Sequence, residues 1–109
     1  MSIVNGTKVT GANFAFKNGV STNVAVGTSS TLVVNLNGKR GLISLGNNSD
    51  NDIFLHLTGG TAELNKGHYV ASKSTHVFTV GTQVFSSINA ICGVAAQNLC
   101  IMEMDSGEA

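Results

Sequence analysis

Short stretches of alternating apolar and polar residues recur along this chain, separated by clusters of Gly, Asn and Asp. Such stretches are too short for helices and have the period of half-buried strands. Ile53, Leu55 and Leu57 alternate with Phe54, His56 and Thr58, which predicts a strand with the first set facing a core and Gly59-Gly60 as its end. A last strand is predicted over 98–104, with Leu99, Ile101 and Glu103 on one face and Cys100, Met102 and Met104 on the other. Residues 30–36 place Leu32, Val34 and Leu36 on one face and run into Asn37-Gly38, the strongest hairpin signal in the chain, with 41–46 as the expected partner. The polar run from Asn47 to Asp52 reads as a turn, 61–67 as a loop, and 68–71, 76–80 and 84–92 as three more strands. Before residue 28 the pattern is weaker: 9–16 and 22–26 read as strands interrupted at Lys17-Asn18-Gly19.

Strands at this spacing predict an all-β fold, a single antiparallel β-sandwich or jelly-roll-like domain, because an open sheet would leave one apolar face wet. The expected organisation is an N-terminal arm or edge hairpin over 1–27 followed by a sandwich over 28–109. A chain of 109 residues holds one such core and no second one. Proline is absent, so Gly, Asn and Asp carry all the turn punctuation.

Charge changes the picture more than size does. Only 11% of residues are Asp, Glu, Lys or Arg, with six of each sign, against about a quarter in an ordinary soluble domain. A surface of Ser, Thr, Asn and Gly is solvated but repels neighbours little, which favours extensive subunit contact. Lys39-Arg40 is the one pair of adjacent cations, so no electrostatic footprint for nucleic acid is expected. No apolar run approaches the about 20 residues of a membrane span, and the first six residues lack the pattern of a signal peptide, which predicts synthesis in the cytoplasm.

Four sets of residues invite a chemical reading. His56, His68 and His76 lack the His-x-His, His-x3-His and His-Glu-x2-His spacings by which one element presents two metal ligands, and read as outward-facing or interface side chains. Asp50 and Asp52 share an Asn-rich turn that offers oxygen ligands to Ca²⁺, but without the closing Glu of a known loop; an Asx turn is the plainer reading. Cys92 and Cys100 would face one another if the segment between them turned near Ala96, so a disulfide is geometrically conceivable, while the expected compartment favours two free thiols. Asn5-Gly6-Thr7 and Asn47-Asn48-Ser49 match a glycosylation sequon but read as turns. No carboxylate pair and no Ser or Cys nucleophile with a base is recognisable, so no enzyme, metal or cofactor is predicted.

From Gly27 to Glu103 the order of signals resembles a family of small virion proteins of tailed bacteriophages. The resemblance rests on Gly27-Thr28-Ser29-Ser30 before a strand, Lys39-Arg40 entering a strand, Asn47-Asn48-Ser49-Asp50 before Ile53-Phe54-Leu55, Leu64-Asn65-Lys66-Gly67, and Ser87-Ile88-Asn89-Ala90-Ile91-Cys92 before a terminal strand. It implies a capsid decoration (cement) protein or the anchoring domain of a head fibre or spike. It brings no catalytic residue.

The functional expectation is a homo-oligomer, a trimer, on the exterior of a virion, binding the major capsid protein and stabilising contacts between capsid subunits. Val9, Phe14 and Phe16 of the arm and Met102 and Met104 of the last strand are its expected interface residues. The alternatives are a carbohydrate- or receptor-binding sandwich, disfavoured by the absence of Trp and the single Tyr69, and a cupin-like enzyme, disfavoured by the histidine spacing.

Overall fold

The computed structural model describes residues 15–107, all of whose regular structure is β. Eight strands form: β1 Ala15–Val26, β2 Thr31–Val34, β3 Arg40–Asn47, β4 Ile53–His56, β5 His68–Val70, β6 Thr75–Phe78, β7 Ile88–Cys92 and β8 Gln97–Gly107. They build two four-stranded antiparallel sheets, β1-β8-β3-β6 and β2-β7-β4-β5. Successive strands mostly cross from one sheet to the other, and the order is that of an eight-stranded jelly roll. The expected sandwich is therefore present in its jelly-roll form.

The core lies between the inner faces. Val26, Ile43, Leu45, Leu99 and Ile101 come from the first sheet, and Val34, Ile53, Leu55, Val70, Ile88, Ala90 and Cys92 from the second. Each fully buried branched aliphatic side chain here contributes about 1.5–3 kcal/mol from removal of apolar surface from water. The period-two reading holds best where burial is one-sided. Leu99 and Ile101 are buried, and Cys100 and Met102 on the opposite face of β8 are exposed.

Local signals misled where topology overrides them. Asn37-Gly38 does not close a hairpin, because β2 belongs to one sheet and β3 to the other. Gly38 does not adopt the positive φ that a type I′ turn requires. Instead the Asn37 side chain accepts the Lys39 N–H (2.9 Å), and Arg40 N–H bonds back to the Asn37 carbonyl (3.2 Å), making a corner between sheets. In β2 a register shift between Leu32 and Val34 breaks the alternation, so Val34 enters the core while Leu32 and Leu36 face solvent. The predicted break at Lys17-Asn18-Gly19 is a β-bulge within one continuous strand, with Asn18 at φ 57°. Residues 15–26 of the segment read as an arm or edge hairpin thus form the edge strand of the first sheet among the described residues; residues 1–14 of that segment lie outside them.

Gly67 permits the approach of β5 to β4. It sits at φ +81°, and a Cβ there would run into the Leu55 carbonyl oxygen. Gly67→Ala is expected to lower the unfolding free energy by about 2–4 kcal/mol in a urea titration, while Gly93→Ala, with open space around it, shifts it by about 0.5 kcal/mol or less. Equal effects would remove the steric argument.

Candidate functional site

The described surface offers no convergent set of catalytic groups, and its most organised polar feature is a network at one end of the β1–β8 ladder. Arg40 opens β3 with its side chain only 1% exposed. Its Nε donates to Glu103 Oε2 (2.6 Å), its Nη1 to the carbonyls of Val84 (2.6 Å) and Ser86 (3.0 Å), and its Nη2 to the carbonyl of Asn35 (2.6 Å). Asn37 Nδ2 donates to both Glu103 Oε2 (3.2 Å) and Asp105 Oδ1 (2.8 Å), and Asn18 Nδ2 reaches Asp105 Oδ2 (3.2 Å). The bonds from Asn37 and Asn18, aided by Lys39 and Lys17, hold the Asp105 carboxyl below its usual pKa. Of the adjacent cations Lys39-Arg40, the second is a buried tie.

Beside this network lies an open groove of about 310 Å³, between the outer strands of the two sheets. Val20 and Thr22 of β1, Val33, Val34 and Asn35 in and after β2, and Ile101 and Glu103 of β8 line it. Among the described residues β1 pairs with β8 along one side only, and residues 17–23 are exposed on both faces. Val20 (53% exposed) and Leu32 (54%) add apolar surface at this edge. Across the outer face of the same sheet, register aligns Ser21, Met102, Ser44 and Val77, and next to them Asn23, Cys100, Gly46 and Thr75. Those two rows carry no charge.

Of the interface residues expected from sequence, Val9 and Phe14 lie outside the described residues. The Phe16 ring rests on buried Gly41 of its own chain, where a Cβ would come within 2.8 Å of it. Met102 is exposed, and Met104 is half-buried against Gly19.

The sites considered for chemistry separate in space. His56 Nδ1 accepts the Gly60 N–H (3.0 Å) and so pins the turn after β4. His68 and His76 face inward rather than outward, which corrects the sequence reading. Each stands opposite a core leucine, Leu55 and Leu45 respectively, and they meet at 2.7 Å between Nε2 and Nδ1. Asp50 faces Lys73 (3.7 Å) whereas Asp52 accepts the Ser72 N–H (3.0 Å), so the two carboxylates serve different partners. Buried Asn47 donates to the carbonyls of Asn51 (2.8 Å) and Val70 (3.0 Å), the kind of turn role its sequon context allowed. Cys92 is buried and Cys100 exposed, both free; β7 and β8 lie in different sheets, so no hairpin sets them face to face. Among the described residues no three His, Cys, Asp or Glu gather as a metal-binding group. A depression of about 390 Å³ near Leu55 and Ala62 has its charges, Glu63 and Lys66, paired to each other at 2.9 Å. Phe54 and Tyr69 lie side by side with ring centroids 5.5 Å apart, and a hydrogen bond to Asp52 raises the Tyr69 pKa.

Fold and surface together define a jelly-roll module with an exposed strand edge and no assembled reaction centre among its described residues. No family model and no curated protein matches the chain. Among solved structures it is similar to one from work on Bacillus endospore appendages, described as a novel family of disulfide-linked pili, at 18% identity and a TM-score of 0.49 over 93% of this chain and 98% of the other. The resemblance to tailed-phage virion proteins gains no support from these comparisons and rests on the turn and strand signals alone.

Arg40→Lys keeps the charge but loses the planar fork of donors, and is expected to cost about 2–4 kcal/mol of stability in denaturant titrations. Stability equal to wild type would show that the carbonyl bonds contribute nothing. The Asp105 pKa is depressed on folding, so its contribution is present above the unfolded value of about 3.9 and is lost as pH falls through the folded value. Asp105→Asn should accordingly flatten the acid limb of a Tm-against-pH curve, leaving the neutral region less changed in slope.

Proposed function

We propose that this chain is a non-catalytic structural subunit that works by assembly, adding an extended segment to the β1 edge and the groove beside it. The observation that supports this most directly is β1 itself: twelve residues long, without a ladder partner along one side among the described residues, and carrying exposed Val20, with exposed Leu32 on β2. Main-chain groups along such an edge supply affinity for an incoming strand, and alternate side chains entering the groove supply register. The near absence of charge on the neighbouring outer face lets subunits approach without a large repulsive term.

Residues 1–14 are the natural donor in this reading. Fully extended they reach about 45 Å, enough to cross onto a neighbour, and they carry apolar Ile3, Val4, Val9 and Phe14 among small polar residues. Decoration of a phage head as an oligomer bridging major capsid subunits is the form of assembly that the turn signals favour. A second reading, a glycan-binding face, draws on the adjacent Phe54 and Tyr69 with Asp52 beside them.

Sedimentation velocity tests the first reading. The full chain should form oligomers that residues 15–109 alone do not, and Leu32→Glu should weaken association about ten-fold or more at unchanged circular dichroism, since Leu32 is already half in water. Oligomers unaffected by both changes would sink it. Retention of labelled protein on a glycan array, lost in Tyr69→Ala, would instead move the assignment to the second reading.

A further inference from the structure

The two long sides of the sandwich are closed differently. Between β1 and β2 lies the open groove; on the opposite side β5 and β6, the outer strands of different sheets, are joined by a short turn over residues 71–74. Opposite residues of an antiparallel pair share a face. His68 is paired with Leu55 and His76 with Leu45, both leucines buried, so the two imidazoles project into the space between the sheets. There the rings meet nearly at right angles (86°) with centroids 4.7 Å apart, and the Phe78 ring lies 5.1 Å from that of His68. A nitrogen-to-nitrogen contact of 2.7 Å is a hydrogen bond in which one ring donates and the other accepts, so one of the two must keep a lone pair.

The rings are part-buried, and no protein group among the described residues compensates a second proton. Leu45 of β3 and Leu55 of β4 face the rings, and His56 of β4 turns away to Gly60. In the adjoining loops Glu63 pairs with Lys66 (2.9 Å), Asp50 with Lys73 (3.7 Å), and Asp52 takes the Ser72 N–H (3.0 Å). Among the described residues no carboxylate comes within ion-pair distance of either ring. Burial first, and the neighbouring His76 second, hold the His68 pKa below the ordinary histidine value.

We propose that His68 and His76 form a proton-operated clasp between the two sheets. With one proton shared in an N–H···N bond, the β5–β6 side is shut. A second proton removes the acceptor and sets two like charges in contact across an apolar seam, so β5 and β6 part and their edges become accessible. An unfolded histidine takes up its proton near pH ~6.5, whereas the closed pair resists it. The open form therefore binds more protons, and closure is most stable above pH ~6.5 and weakens as pH falls below it.

Amide hydrogen exchange read by mass spectrometry, with rates corrected for intrinsic pH dependence, tests this on the full chain at pH 7.5 and 5.0. Protection over residues 68–78 should fall about ten-fold or more on acidification while β8 keeps its protection. His76→Phe, which fills the seam with a ring that takes no proton, should abolish the acid effect; His76→Gln serves if that variant does not fold, and His56→Gln should retain it. The clasp is overturned if acid lowers protection equally in β5, β6 and β8, or if the local loss persists without His76.

Discussion

Four chain segments converge on one guanidinium. Arg40 begins β3, yet its donors reach the carbonyl that follows β2, two carbonyls that precede β7, and a carboxylate on β8. In a jelly roll these are places where the chain leaves one sheet for the other and has no ladder partner for its backbone groups. A charge buried to 1% exposure is tolerated because four of its five N–H donors meet an oxygen, one of them on a carboxylate. Without it the carbonyls of Asn35, Val84 and Ser86 would lose these bonds and the corners their common tie. Asn37 extends the same logic outward to Asp105 and, through Asn18, to the bulge in β1.

Much of the fold was legible because burial on one face imposes period two. Ile53 and Leu55 in β4 and Leu99 and Ile101 in β8 went where their alternation placed them, and the polar run after Asn47 is a turn. What escaped was information carried by partners far along the chain. Asn37-Gly38 is a good hairpin signal, but a dipeptide does not encode that its flanking strands lie in different sheets. Leu32 left the core because of a bulge invisible to pattern counting. The seat of Arg40 could have been suspected only from the rarity of charge in this chain, where each cation has few carboxylates to choose from.

The β1 edge was legible only in outline. A weak, polar first segment suggested an arm or edge hairpin; among the described residues, 15–26 form the outermost strand of their sheet, an integral one whose last residue, Val26, is fully buried. The histidines show the opposite error. Eight positions apart and on no common motif, His68 and His76 read as outward-facing or interface side chains, whereas the sheet crossing between them brings the rings into contact.

The pairing of the first described strand with the last sets a clock on the molecule. Asn18 meets Asp105 and Asn23 meets Asn98 across 87 and 75 positions of chain, so β1 leaves the ribosome long before β8 exists to cover it. Closing loops of that length is slow relative to local turn formation. During synthesis β1 is therefore made without its β8 partner, and a nascent chain close to its sisters on one messenger RNA faces a choice between waiting for its own β8 and borrowing a neighbour's strand.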